Sequence, residues 1–214
     1  MIACRSKLCR ADLKALASEV RILKGIQCEN VVHLYECFDE APLCYLVTEL
    51  CSGGELFDRI VKKKTYTEAC AREAVHQVLN GVAFLHSHNV VHRDLKPENV
   101  MLSSKTGPPD IRVVDFGLSC IYTKDGARQL HRLAGTPYYM APEILGKARA
   151  GYGPACDLWS CGVVLYILLC GYPPFWGDRD QDIFRKVRSG GFCWWSWCSA
   201  HPPCGVVVAP CPRH

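Results

Sequence analysis

Apolar positions in the first quarter of the chain recur at two different periods. Leu13, Leu16, Val20 and Leu23 return every three or four residues, the spacing of one helix face, and predict an amphipathic helix over residues 10–24. Residues 31–38 and 43–50 are short aliphatic, β-branched and aromatic runs separated by Asp-Glu-Ala-Pro, which predicts a β-hairpin. The helical period returns at 67–88, where Thr67 suits the N-cap and Glu68 the first turn. Ala71, Val75, Val78, Leu79, Val82 and Leu85 mark its buried face. Two further apolar runs, 100–102 and 111–114, flank the turn Gly107-Pro108-Pro109 and predict a second, shorter hairpin. Residues 118–139 are polar and punctuated by glycine, the pattern of a mobile segment. Residues 158–177 then carry no charged side chain at all. Gly171 and Pro173-Pro174 limit this stretch to about 14 helical residues, short of the ~20 a bilayer needs. It predicts a helix buried on all sides of a globular lobe.

Composition narrows the class. A chain of 214 residues allows one sizeable domain or two small lobes. The net charge of +4 and the absence of any basic run longer than residues 62–64 argue against a nucleic-acid partner. Fifteen cysteines are scattered singly, with no C-x-x-C pair and no N-x-S/T acceptor. That pattern, without a signal peptide, points to reduced thiols in a cytoplasmic or nuclear protein with no membrane segment. Residues 193–214 differ sharply from the rest: they hold three of the five tryptophans and four of the fifteen cysteines, and no acidic residue follows Asp182. Cys193, Cys198, His201 and Cys204 fit no common zinc-site spacing. No D-x-[DN]-x-[DN]-G loop occurs, so no EF-hand is encoded here.

The chemistry is concentrated between His92 and Gly117, which carry HRDLKPEN (residues 92–99) and DFG (residues 115–117). Moving a phosphoryl group to a hydroxyl requires an acceptor for the hydroxyl proton and positive charge beside the phosphate oxygens. Asp94 supplies the acceptor and Lys96 the cation. Asn99 and Asp115 supply the hard oxygen ligands that Mg²⁺ prefers. Taken singly, these are ordinary loop charges. Both motifs in order, followed by GTPYYMAPE at residues 135–143, resemble the protein kinases. Lys96 with GTPYYMAPE is the serine/threonine pattern, and the similarity is greatest to the calcium-dependent and calmodulin-dependent group.

The resemblance implies an α+β, two-lobed kinase-like fold using ATP and Mg²⁺, with Asp94 as catalytic base and Asn99 and Asp115 as metal ligands. Lys96 would serve the transferring phosphate, and Phe116 would pack to set the active state. It implies that Thr136 bonds to Asp94 and Lys96, and that Arg93 clamps a phosphate on Thr123 or Thr136. Asp157 would hold the backbone of the 92–99 loop. TELCSGGEL (residues 48–56) resembles the hinge, so backbone groups of Glu49 and Cys51 would hold adenine over Met101, with Thr48 behind. Glu55 and Glu98 match carboxylates that read an arginine upstream of the target residue, or that contact the ribose. Glu19 matches the helix glutamate that pairs with a nucleotide-anchoring lysine. That lysine and the glycine-rich phosphate loop are not found; Lys7 is too near Glu19, and Arg5 takes the place only if the following loop is short.

Expected, then, are a partial small lobe over residues 1–50, an incomplete large lobe over 51–191, and a disordered tail, unlike a kinase, over 192–214. The reading frame is expected to be incomplete at both ends. The expected activity is transfer of the ATP γ-phosphoryl to serine or threonine of protein substrates, weak or lost in this chain. Calcium-sensor regulation would act through parts outside it. The rival readings are a partner-binding pseudokinase and an inert fragment.

Overall fold

A computed structural model describes residues 2–4, 9–41, 43–62, 67–122, 130, 133–146 and 151–191. Arg5, Lys7, Thr123 and the tail 192–214, with its cysteines and His201, lie outside the described residues.

The first unit is built on the two periods read above. The helical stripe forms α1 (Arg10–Gly25) and the alternating runs form β2 (Leu34–Glu40) and β3 (Leu43–Thr48). With β1 (Ile2–Cys4) they make an antiparallel sheet of order β1-β3-β2, so β2 is an edge strand. Leu16, Ile22 and Leu23 of α1 pack on Leu34, Cys44 and Leu46 of the sheet.

The longer helix α3 (Glu68–Ser87) has Thr67 as its N-cap, its hydroxyl accepting from the Cys70 N–H at 3.3 Å. Its buried face lies on β6 (Val100–Leu102) and β7 (Ile111–Val113), which pair antiparallel, with β4 (Gly54–Glu55) added to β6. Helix α2 (Leu56–Lys62) follows β4 directly. Helix α4 (Ala155–Cys170) packs into the same cluster and is ended by Gly171 in the left-handed region (φ 82°), whose N–H returns to the Ile167 carbonyl at 2.8 Å. A third apolar cluster joins Met140, Ile144 and Phe175 to Ile183 and Val187 of α5 (Asp180–Ser189).

Two expectations need correction. Leu79 is 39 % exposed, because the buried arc of α3 is centred on Ala74, Val78 and Val82, and Leu79 falls beyond its edge. Helix α4 is not covered on every side either. Leu158 is 52 % exposed, and Leu165 and Leu169 line apolar cavities of about 240 Å³ and 630 Å³ on its flanks. Among the described residues no helix is long and apolar enough to cross a membrane.

Candidate active site

The 92–99 loop is held in place by a buried carboxylate from α4. Asp157, fully buried, accepts from the backbone N–H of His92 at 2.9 Å and of Arg93 at 2.8 Å, and from His86 Nε2 at 2.8 Å. Bonds to an ionised acceptor are roughly twice as strong as neutral ones, so one side chain fixes two successive peptide units. The chain enters through β5 (Val90–Val91), which pairs with β8 (Cys120–Ile121). It then turns sharply, since Arg93 has φ 70°. A non-glycine residue there costs on the order of 1–3 kcal/mol, tolerated where the surroundings over-determine the conformation. Arg93 is so held: Nε donates to the Leu118 carbonyl at 2.7 Å and Nη1 to the Tyr152 hydroxyl at 3.3 Å.

His92 is fully buried, and its two ring nitrogens have different tasks. Nε2 lies 3.0 Å from the Val114 carbonyl, which only accepts, so it carries the proton. Nδ1 then accepts the Asp94 N–H at 3.3 Å. Burial lowers the His92 pKa despite the pull of Asp157, which keeps this neutral tautomer. The ring also meets Phe116 edge-on at 5.0 Å.

Around Asp94 the groups converge. Oδ1 accepts from the Thr136 hydroxyl at 2.8 Å, and Oδ2 lies 3.0 Å from Lys96 Nζ, which reaches Thr136 Oγ1 at 3.3 Å. Burial opposes the Lys96 charge, but the bond and charge of Asp94 outweigh it and raise the pKa, keeping the ammonium protonated. Gly135 has φ 116°, and a Cβ there would stand 2.7 Å from the Arg93 carbonyl; only glycine lets Thr136 approach this closely. Asn99 Nδ2 donates to the Asp94 carbonyl at 2.9 Å, which leaves its amide oxygen as an acceptor.

Asp115 is exposed, with φ 63°, and its Oδ1 accepts from the Gly117 N–H at 3.2 Å. The Val114 N–H donates to the Asn99 carbonyl at 3.0 Å, which sets Asp115 directly after a residue bonded to Asn99. Glu19 of α1 reaches the same place. Its carboxylate is buried and accepts from the Phe116 N–H; burial and then the Asp115 charge push its pKa up to about 6. Among the described residues no lysine or arginine forms an ion pair with Glu19.

The 49–55 segment is fixed from both sides. The Glu49 N–H donates to the His33 carbonyl at 2.8 Å, and its carboxylate takes Arg112 Nε at 2.9 Å and 3.0 Å. Cys51 is half-buried, and Glu55 sits opposite Met101 in the β4–β6 register. A Cβ on Gly53 would stand 2.6 Å from Leu102 Cβ, so glycine permits the close crossing. Glu98 is exposed beside Thr136 in a groove of about 530 Å³ walled by Phe57, Tyr138, Tyr172 and Trp176. The structure therefore brings Asp94, Lys96, Asn99 and Thr136 into direct contact and Glu19 against the Asp115–Phe116 turn. Glu55 does not line the groove that Glu98 lines. Sequence reading missed the bridging role of His92, the Arg112–Glu49 pair and Tyr152. The first lies inside a motif already singled out, whereas the others are long-range pairs without a local signal.

The sequence profile of the protein kinase domain matches residues 3–198. The chain belongs to the protein kinase family. It is similar to myosin light chain kinase A of Dictyostelium discoideum, with 45 % identity over 88 % of this chain and 62 % of that protein. It is also similar to calcium/calmodulin-dependent protein kinase type 1 of Caenorhabditis briggsae, with 44 % identity over 87 % of the chain and 51 % of the relative. Calcium-dependent protein kinase 5 of Plasmodium berghei matches at 41 % over 85 % of the chain and 31 % of its own length. The chain thus spans between about a third and three fifths of these relatives.

Proposed function

We propose that this kinase domain serves a serine/threonine protein kinase that transfers the γ-phosphoryl of ATP to a protein hydroxyl. The observation that carries the reading is the triangle of Asp94, Thr136 and Lys96. Asp94 accepts the proton of the attacking hydroxyl as the new O–P bond forms. Lys96 neutralises charge on the phosphoryl oxygens, and Thr136 holds the Asp94 carboxylate in line. The Asn99 amide oxygen and the exposed Asp115 carboxylate are hard donors suited to Mg²⁺, which when bound offsets the charge of the β- and γ-phosphates. Backbone groups of Glu49 and Cys51 would take adenine above Met101. Asp94→Asn and Asp115→Ala are each expected to lower phosphoryl transfer by ~10² to 10³ in the full-length protein. Near-parental turnover in both would overturn the roles.

Residues up to 50 would form the small lobe and residues 51–191 the large one. Glu55 and Glu98 would favour substrates with an arginine upstream of the target; a peptide array in which alanine at that arginine loses no signal would refute this. Regulation by a calcium sensor rests on the names of the relatives, and addition of calcium and calmodulin to the full-length protein tests it. A cytoplasmic or nuclear location is proposed from the scattered spacing of the cysteines along the sequence; imaging of a tagged full-length copy tests it.

A second reading, weak turnover or partner binding without catalysis, is favoured by Glu19. Its carboxylate is bonded to the Phe116 N–H and lacks a cationic partner among the described residues. A thermal shift with ATP and Mg²⁺ in the 214-residue chain separates a nucleotide binder from an inert fragment, and a turnover assay separates a binder from a catalyst.

A further inference from the structure

The β2–β3 hairpin carries a feature outside the phosphoryl-transfer site. Its register sets Cys37 opposite Leu46 and Cys44 opposite Asp39, so the two cysteines are diagonal neighbours on the face turned toward α1. Their sulfurs are 3.9 Å apart, and no disulfide joins them. Cys37 is half-buried and within reach of small solutes, whereas Cys44 is only 2 % exposed.

We propose that Cys37 and Cys44 form a redox-modifiable dithiol that closes to a disulfide when the protein meets hydrogen peroxide. Diagonal strand neighbours have Cα atoms roughly 7–8 Å apart, and a disulfide wants less than about 7 Å, so closure needs a shift of about 1 Å. The hairpin can supply it. β2 is an edge strand with most of its side chains in solvent, and its pairing with β3 is already irregular between Leu34 and Glu36. The chemistry balances. The Cys37 sulfur, as thiolate, attacks one peroxide oxygen; the O–O bond breaks, a sulfenic acid forms, and the departing hydroxide takes the proton Cys37 released. The Cys44 sulfur then attacks the Cys37 sulfur; the S–S bond forms, the S–O bond breaks, and hydroxide leaves with the Cys44 proton as a second water. Two thiols lose two electrons and two protons, and one peroxide becomes two waters. Two buried cysteines of the α4 helix compete poorly. Burial pushes the Cys161 thiol up to about 12 and raises that of Cys156, which leaves little of the reactive thiolate there.

The test uses the folded, reduced 214-residue chain, treated with limiting hydrogen peroxide, alkylated and cut after glutamate. Cleavage at Glu36, Glu40 and Glu49 puts the two cysteines on separate fragments. Expected is a linked pair of fragments 37–40 and 41–49, lighter by two hydrogens than their sum, which appears before thiol loss at Cys156 or Cys161 and is reversed by dithiothreitol. Cys37→Ser, at a half-buried edge position that should not disturb folding, abolishes it, and Cys44→Ala does the same. Recovery of Cys37 as sulfinic acid with Cys44 still alkylatable would overturn the proposal, as would bridges from Cys37 to other cysteines in equal yield.

Discussion

Thr136 donates to Asp94 at 2.8 Å while accepting from Lys96 at 3.3 Å, so a single hydroxyl orders both charged groups. Thr136→Val keeps the shape and removes the bond. Hydrogen bonds to charged groups contribute about 1.5–3 kcal/mol, so turnover of the full-length protein should fall roughly tenfold to a hundredfold with little change in KM. Thr136→Ser should restore most of it; equal loss in both variants would mean that the methyl group matters and the hydroxyl does not. Glu19 makes a prediction of the opposite kind, about stability. Its pKa is raised from the ordinary 4.5 to about 6, mainly by burial, so the folded protein holds the proton more tightly than the unfolded chain. The associated stability is fully present below pH 4.5 and is lost as pH rises through 6, a change of about 2 kcal/mol at ~1.36 kcal/mol per unit. Urea unfolding of the parent and of Glu19→Gln across pH 4 to 7 isolates this contribution as a difference, and parallel pH profiles would refute it. Motif spacing identified Asp94, Lys96, Asn99 and Asp115 as candidates because such chemistry demands particular residue types close together in sequence. It could not show that Glu19 turns to the Phe116 N–H, since that contact spans about a hundred residues and depends on packing.

At the scale of elements, α4 is the support on which the loop rests. Asp157 lies in its first turn and satisfies the N–H groups of His92 and Arg93, in a stretch (residues 92–96) that has no strand or helix of its own. Asp157→Ala leaves both N–H groups unpaired in the interior, and each such orphan costs about 1–3 kcal/mol, so a loss of roughly 2 to 6 kcal/mol is expected in urea unfolding. Asp157→Asn keeps one acceptor but turns an amide N–H toward a donor, and should fall between parent and alanine. If alanine were the milder change, Asp157 would not be supporting the loop. The longer elements were legible because their periods are sustained: α1, α3, the β2–β3 hairpin and the α4 helix all lie within a few residues of the expected bounds. The two-residue strands β4, β5 and β8 were not, since so short a strand has no period and exists only through a distant partner. Helix α5 was passed over because its exposed charges outweigh the two buried side chains, Ile183 and Val187, that hold it.

At the scale of the whole molecule, the core is shared across residue 50. The cluster that packs α1 on β2 and β3 also includes Leu85 of α3, Val90 of β5 and Phe116. Backbone bonds cross the same boundary: the Val32 N–H donates to the Val113 carbonyl at 3.0 Å, and the Val113 N–H to the Asn30 carbonyl at 2.9 Å. Unfolding residues 10–48 alone would expose Leu85, Val90 and Phe116, all within 3 % of full burial. At about 1.5–3 kcal/mol for each large apolar side chain, that is roughly 5 to 9 kcal/mol from these three alone, before the β7 bonds are counted. A whole domain is stable by only ~5 to 15 kcal/mol, so little remains to hold the rest of the described chain folded once residues 10–48 have opened. The described part of the chain should therefore unfold as one unit. Native-state hydrogen exchange measures this directly: the slowest amides of β3, around Cys44 and Leu46, should open at the same limiting free energy as those of α3 around Val78 and Val82. A β3 that opens several kcal/mol before α3 would show that the lobes fold separately, and Phe116→Ala would then destabilise only one of them.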